Sequence, residues 1–300
     1  MRPVYKIMFV VSLALFVAST VAIVRYGLNF GVDFVGGSVL EIEFKAGQRP
    51  AIEQLQETLA DIEEFKGKEV GVNPIGERGV IIRTEVLDEQ EHQRILSALV
   101  SKYRSVGPEE KRFDSVGPAV GRELRTKSLI AIAIVLAAIL AYIAIVFRKL
   151  SRTLSLWAMN LATVVSLLHD IVIPIGVFAV LGQVLGVQIS AVFIAAILTI
   201  LGYTVSDKVV IFDRVRENIL RGMSGTLADI VHASVMQTLV RSINNTLTVM
   251  LSSFAIYLFG GESIRYVALA LIVGIALGAY SSIFVAAPLV VWWSGRTRKS

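Results

Sequence analysis

Ser128-Leu129-Ile130-Ala131-Ile132-Ala133-Ile134-Val135-Leu136-Ala137-Ala138-Ile139-Leu140-Ala141-Tyr142-Ile143-Ala144-Ile145-Val146-Phe147 is a run of twenty residues without one charged side chain. A lipid bilayer takes about 20 apolar residues per helical crossing. The run therefore places the chain among membrane proteins before any other feature is weighed. Five more runs repeat the pattern, at about 7–24, 154–181, 187–210, 243–260 and 264–293. The chain has 300 residues, of which 55% are hydrophobic, more than the 45–50% of soluble domains. The excess is gathered in runs, so it signals spans and not a larger core. The runs at 154–181 and 264–293 are long enough to tilt or to overhang the hydrocarbon.

Arg2 and Lys6 precede the first run, as in a secretory signal. The run is longer than the 7–15 residues of a cleavable core, and no small-residue cleavage site follows. It is expected to remain as an anchor. Cysteine is absent, which excludes disulfides, thiol chemistry and cysteine metal sites. His92, His169 and His232 are too far apart for a zinc pattern.

Charge is uneven. Residues 27–125 hold 18 of the 24 acidic residues and 13 of the 29 basic ones. The net +5 is thus the sum of an acidic segment and basic membrane flanks. No basic stripe interleaved with aromatics supports nucleic-acid binding. Arg2 and Lys6, then Arg148, Lys149 and Arg152, then Arg214, Arg216 and Arg221, then Arg296, Arg298 and Lys299 all fall on one side when six spans are counted. The positive-inside rule makes that side cytoplasmic. Both termini are then cytoplasmic and 27–125 lies outside. Trp157, Trp292 and Trp293 fall near the cytoplasmic span ends, where amphipathic rings settle.

The expected organisation is a first transmembrane helix in 1–26, an outer domain in 27–125, and five further helices in 126–300. Segment 211–240 reads as a cytoplasmic amphipathic helix or helical hairpin, with Ile211, Phe212 and Val215 beside Arg214, Arg216 and Glu217. Within the outer domain, Ser38 to Phe44 alternates apolar and polar residues as a half-buried strand does. Ile52, Leu55, Leu59 and Ile62 recur at helical spacing after Pro50. Val70–Ile75 and Val80–Val86 read as a hairpin through Gly76-Glu77-Arg78-Gly79. Asp88 can cap a second helix carrying Ile95, Leu96, Leu99 and Val100. Arg112 to Val116 is a last strand. The order β-α-β-β-α-β predicts a ferredoxin-like domain. The fold class is an all-α polytopic bundle of six transmembrane helices with this α+β extracytoplasmic domain inserted after the first.

Two glycine-rich joints flank the domain: Gly31, Asp33, Gly36 and Gly37 before it, and Gly117, Pro118 and Gly121 after it. They read either as loop punctuation or as hinges on which the domain rocks. Asp33 is read as a brace for its joint.

A charge at mid-bilayer on a helix costs about 2.5–3.5 kcal/mol on insertion scales, so charges inside the runs point to function. Asp207 lies in the fourth run, with Tyr203 and Thr204 on the same helix face. Arg241, Asn244, Asn245 and Thr248 form a polar stripe entering the fifth. Arg241 is the expected partner of Asp207, against the alternative that it snorkels to the headgroups. His169 and Asp170 sit midway along the third run, ahead of Pro174. Adjacent helical residues point about 100° apart, so the two are expected to face different surroundings, with packing and proton transfer equally open. Gly274, Gly278 and Ser282 form a small-residue seam for close helix packing, within the chain or toward a partner. No nucleophile with its base, phosphate loop or metal cluster is present to support an enzyme.

Taken together, several motifs resemble the SecF family of protein-export membrane proteins. They are Leu28 to Gly37, Val116 to Leu124, His169-Asp170, Gly202-Tyr203-Thr204-Val205-Ser206-Asp207, Phe212 to Asn218, and Thr238-Leu239-x-Arg241-Ser242. Ser206 departs from the asparagine the family usually has there. The resemblance implies pairing with SecD in a pseudo-symmetric bundle of the resistance-nodulation-division type, in a bacterial inner membrane. It implies work beside the SecY-SecE-SecG channel, with YajC and YidC as further partners. The exported polypeptide would be handled after the SecA ATPase has acted. It implies no cofactor, the proton as coupling ion, and roles for Asp207 and Arg241 in its passage. Six spans and one outer domain make one repeat, and such folds place the ion site where two repeats meet. The competing reading is a proton-coupled exporter of a small molecule or lipid.

Overall fold

The computed structural model describes residues 2–45, 49–148 and 156–297. Lys149, Arg152, Arg298 and Lys299, used above to orient the chain, lie outside the described residues, as does the start of the third apolar run. The chain divides into two compact units: Met1–Asn29 with Leu129–Ser300, and Phe30–Ser128.

The second unit is an α+β domain. Its elements are α2 (Val32–Val35), β1 (Gly37–Phe44), α3 (Ile52–Asp61), β2 (Gly71–Ile75), β3 (Gly79–Thr84), α4 (Glu89–Lys102) and β4 (Pro108–Val116). The four strands form one sheet in the order β2-β3-β1-β4, antiparallel throughout. Alternation along β1 turns Leu40, Ile42 and Phe44 to one face, where Val80 and Ile82 of β3 join them. Leu55 and Leu59 of α3 and Ile95 and Leu99 of α4 close that core, so both helices cover the same side. Ser38 Oγ donates to Ser115 Oγ at 2.8 Å and accepts from the Leu87 backbone N–H at 2.8 Å, tying β1, β4 and the start of α4 together. The last strand begins four residues earlier than the alternation suggests. A bulge between Glu41 and Ile42 shifts the register against β4 and breaks the period-2 signal there.

Helix α4 opens on a capping box. The Glu91 N–H donates to Asp88, and the Asp88 N–H donates back to the Glu91 carboxylate at 2.9 Å. That backbone bond, then the Lys68 ammonium at 3.1 Å, hold the Glu91 carboxyl below the usual carboxylate range. Their stabilisation is complete above the ordinary glutamate value of about 4.3. It is lost as pH falls through the lower folded value. The protection factors of the α4 amides in the full-length protein, observed exchange set against the intrinsic rate at each pH, are expected to fall as the pH drops through that window. Glu91→Gln should flatten the dependence.

The joints take definite shape. In the bundle unit, Asn29 donates to Gly186 O at 3.3 Å, and its carbonyl accepts from Ile189 N–H at 2.7 Å. Gly31 caps the single turn α2, which contains Asp33. Gly36 and Gly37 have φ of 89° and 117°, a region open chiefly to glycine. Downstream, α5 (Pro118–Val146) starts directly after Gly117. Pro118 at a helix start needs no N–H partner. The expected glycine-rich loop there is thus a single residue, and Gly121 lies inside a helix. A Cβ on Gly121 would sit 3.0 Å from Phe34 O, so glycine at this point permits close packing of the two joints.

The first unit consists of α1 (Pro3–Tyr26), the later part of α5, α6 (Leu156–Leu185), α7 (Ala191–Leu220), α8 (Leu227–Phe259), α9 (Glu262–Ser281) and α10 (Ala287–Thr297). A π-helical turn at Ser282–Ala286 joins the last two. Among the described residues, six helical segments are long and apolar enough to cross a membrane. Their outer surface is apolar, unlike that of a soluble protein, and hydroxyl side chains are buried among the apolar residues of the interior. Val10, Val17, Ile134, Ile145, Leu251 and Phe254 are exposed, while Ser19, Thr163, Ser166, Thr204, Ser242 and Ser281 are buried. In lipid the outer surface needs apolar groups, and the interior can use hydrogen bonds.

Segment 211–240 is divided between the last turns of α7 and the first turns of α8, so it forms no separate element. Arg214 pairs with Glu217 at 2.7 Å, Arg216 with Asp213 at 3.2 Å and Arg221 with Glu217 at 2.5 Å. These one-turn pairs let α7 continue past the hydrocarbon. The apolar runs therefore under-read both helices.

Candidate functional site

The polar interior of the bundle centres on four side chains of α6 and α7: His169, Asp170, Asp207 and Lys208. Among the described residues of this unit, they are the buried His, Asp and Lys side chains. Each is held by helix periodicity. Asp170 and His169 lie near the middle of α6, the most enclosed of the six spans, just before Pro174. Proline cannot donate to the Asp170 carbonyl, which loosens the ladder at that point.

Lys208 Nζ bonds Asp170 Oδ2 at 2.8 Å, and both side chains are 0% exposed. The ammonium also donates to Thr204 O at 3.2 Å, one turn earlier on its own helix. His169 Nδ1 lies 3.1 Å from Asp170 Oδ1. A carboxylate oxygen only accepts, so the ring donates from Nδ1. Tyr280 of α9 stacks near the His169 ring at 6.3 Å between centroids. The expectation that His169 and Asp170 face different surroundings is overturned. Both are buried, because the imidazole reaches round its own backbone to the neighbouring carboxylate.

Asp207, the residue before Lys208, faces the other way across α7. Its Oδ1 accepts from Ser242 Oγ of α8 at 3.0 Å. Its Oδ2 is buried with no hydrogen-bond partner, as are Thr204 Oγ1 and His169 Nε2. Consecutive residues of α7 thus fasten it to two helices, Asp207 to α8 and Lys208 to α6.

The expected Asp207–Arg241 ion pair does not form within the chain. Arg241, Asn244, Asn245 and Thr248 are exposed, whereas Ser242 and Thr246 are buried. Helical geometry explains the difference. Positions 242 and 246 are one turn apart and face α7, which puts 241, 244, 245 and 248 on other sides of α8. Thr248 Oγ1 donates to Asn244 O on its own helix at 2.8 Å. The polar stripe is real, and it points away from this chain's interior.

The small-residue seam lies inside the chain. A Cβ on Gly274 would stand 2.7 Å from Ile200 Cγ1, and one on Gly278 would stand 2.6 Å from Thr204 Cβ. Helix α9 therefore lies directly on the α7 turn that leads to Asp207. Ser282 donates to Gly278 O at 2.7 Å and opens the π turn, a feature frequent at functional sites. Sequence reasoning missed that turn. It also missed Lys208 and Ser242, each of which follows directly on a residue it selected. The available signal was Lys208 itself, a second charge inside an apolar run. Among the described residues, no group of three or more His, Cys, Asp or Glu side chains is placed to hold a metal ion.

The chain matches the family model of the protein export membrane protein SecD/SecF C-terminal region over residues 96–296, and that of the SecD/SecF GG motif over 21–47. A protein translocase subunit SecF of Thermobaculum terrenum is 38% identical over 295 residues, covering 96% of this chain and 92% of that protein. A protein translocase subunit SecDF of Brucella abortus is 35% identical over 277 residues, covering 92% of this chain and 35% of its own length. A crystal structure of SecDF from Thermus thermophilus, described as a translocon-associated membrane protein, superimposes with a TM-score of 0.80 at 30% identity. That alignment covers 97% of this chain, which spans 38% of the SecDF chain. With six membrane-crossing helices, a polar core on α6 and α7, and full-length similarity to SecF subunits, this chain belongs to the SecF branch of the SecD/SecF family of protein-export membrane proteins.

Proposed function

We propose that the chain acts as the SecF subunit of a Sec protein translocase and, paired with SecD, uses the proton motive force to assist export through SecY-SecE-SecG after the SecA step. One observation carries the reading: a buried carboxyl, Asp207, in a membrane-crossing helix, with one oxygen bonded to Ser242 and the other bare. A group of that kind can take up and release a proton without rearranging its neighbours. One charge crossing the membrane potential is worth about 2.3 kcal/mol per 100 mV, enough to bias a domain movement.

The outward stripe Arg241, Asn244, Asn245 and Thr248 supports SecD as the partner. Polar groups on a membrane helix need cover from another protein surface, and the Brucella and Thermus relatives carry both halves in one chain. In this reading Arg241 meets Asp207 only during a cycle, and Thr204 and Asp170 lie along the same path. YajC, YidC, the translocating polypeptide and membrane lipid complete the surroundings. We place the chain in a bacterial inner membrane, with both termini cytoplasmic and the α+β domain outside. The all-antiparallel order β2-β3-β1-β4, with both helices on one face, supports a ferredoxin-like domain. We read Gly31, Asp33, Gly36, Gly37, Gly117, Pro118 and Gly121 as the pivot on which it moves. The work is transport with no catalytic step and no cofactor beyond the coupling proton.

Asp207→Asn is expected to abolish the stimulation of in vitro translocation by an imposed proton gradient while leaving the ATP-driven step. Unchanged stimulation in a variant that inserts normally would sink the reading.

A further inference from the structure

The buried charges of the bundle do not balance. Asp170 and Asp207 are two carboxylates, and Lys208 is the one buried ammonium among the described residues. His169 donates from Nδ1 to Asp170, and its Nε2 has no partner. That arrangement suits the bare lone pair of a neutral ring, since a charged ring would bury an unsatisfied N–H there. The set Asp170, Lys208 and Asp207 therefore carries one negative charge in excess.

The hydrogen bonds say where that charge resides. Both oxygens of Asp170 are engaged, Oδ1 by His169 and Oδ2 by Lys208. Asp207 has one bond, from Ser242, and its Oδ2 is bare. The groups facing it are Tyr203 of α7 and Ser242 and Thr246 of α8. The Lys208 ammonium and the exposed Arg241 guanidinium act on its charge from a distance, but no salt bridge reaches the Asp207 carboxylate among the described residues. The fully paired acid is thus Asp170, and the acid able to hold a proton is Asp207.

We propose that Lys208 sets the proton count of this half of the machine. By neutralising Asp170 it leaves a single uncompensated carboxylate, so the buried core binds one proton, on Asp207 Oδ2. Asp170 is then the counter-ion of Lys208, and in this arrangement the proton rests on Asp207. Lys208 is a positioning residue, since it acts through the charge of its neighbours. The argument rests on the proton-coupled reading only for its consequence in export. The charge count itself stands on the geometry.

The consequences are counter-intuitive enough to separate this from a structural role. Removing the Asp170 charge leaves Lys208 to compensate Asp207, so the core is already neutral and takes no proton, although Asp207 is intact. Removing both Asp170 and Lys208 charges restores one proton. Removing Lys208 alone leaves two carboxylates and calls for two.

Infrared difference titration of the full-length protein in lipid vesicles, following the C=O stretch of protonated carboxyls, reads this directly. The wild type is expected to show one buried carboxyl band that Asp207→Asn removes. Asp170→Asn should remove the same band, and Asp170→Asn combined with Lys208→Met should bring it back. Lys208→Met should show a second band. If Lys208→Met does not insert, the Asp170→Asn variant and the double variant decide alone. A band that survives in Asp170→Asn, or that stays absent in the double variant, overturns the proposal. So does a wild type without one. The outcome is independent of export: gradient stimulation that persists in Asp207→Asn would defeat the proton-coupled reading and leave these bands as they are.

Discussion

Lys208→Met is expected to destabilise the bundle by about 3–5 kcal/mol, the usual penalty for stranding one partner of a buried ion pair. The environment makes the large value appropriate. Asp170 and Lys208 are both 0% exposed and 2.8 Å apart, so no water stands ready to replace the lost partner. Asp170→Asn should also destabilise, by less, because the ammonium loses its 2.8 Å ion pair and keeps the Thr204 carbonyl while Asp207 balances its charge. The double variant is the informative one. Replacing a buried pair by uncharged groups of similar size is often neutral, or stabilising by about 1–4 kcal/mol. Equilibrium unfolding in mixed micelles should therefore give a coupling energy of several kcal/mol in the double-mutant cycle. Single-variant costs that simply add would mean that the two side chains do not hold each other. Retention of a pair that contributes so little net stability fits a role in setting charge.

Where sequence and structure agree, the signal was length or alternation. A run such as 128–147 admits few readings, since hydrocarbon accepts little else of that size. The β1 strand was legible because Leu40, Ile42 and Phe44 alternate with Glu41 and Glu43, and α4 because Asp88 can cap a helix on which Ile95, Leu96, Leu99 and Val100 recur. The site was legible in half. The cost of a buried charge selected Asp207 and Asp170 correctly as interior residues, but it is blind to direction. It could not say that Arg241 turns away while Ser242, the next residue, bonds Asp207. Lys208 was passed over for the same reason: next to Asp207 in the chain, it reads as part of one charged spot, although the two side chains serve different helices. The downstream joint is shorter than its residues suggest, because glycine and proline mark both loops and helix starts. Pro118 marks a start, and Gly121 a close approach. Helix ends were misjudged because hydropathy stops at the membrane surface, while the paired charges of Asp213 to Arg221 carry α7 beyond it.

Gly176→Ala should prove the most damaging of the single-methyl additions, and nothing in the sequence flags it. Gly176 lies two residues after Pro174 on α6, where α1 crosses. A Cβ there would stand 2.7 Å from Ser19 Cα and 2.9 Å from Ser19 O. These are backbone atoms, which cannot rotate away as the tip of a side chain can. The two helices would have to separate, which also strains the contacts of α1 at its other end, where Tyr5 OH meets His232 Nδ1 at 2.8 Å and Met8 O accepts from Tyr280 OH at 2.5 Å. Most of its length is exposed and apolar, with Tyr5, Ser12 and Ser19 as its buried positions. Overpacking ordinarily costs about 1–3 kcal/mol and sometimes more. The upper end is expected here, because close approach is the main source of helix association in lipid. Gly202→Ala supplies the control. It is also mid-helix, in α7, but a Cβ at that position meets nothing within 4 Å. There alanine should be neutral or stabilising by up to about 1 kcal/mol through helix propensity. Thermal unfolding of the two variants in the same detergent compares them directly. Equal melting temperatures would show that α1 is held by something other than its backbone contact with α6.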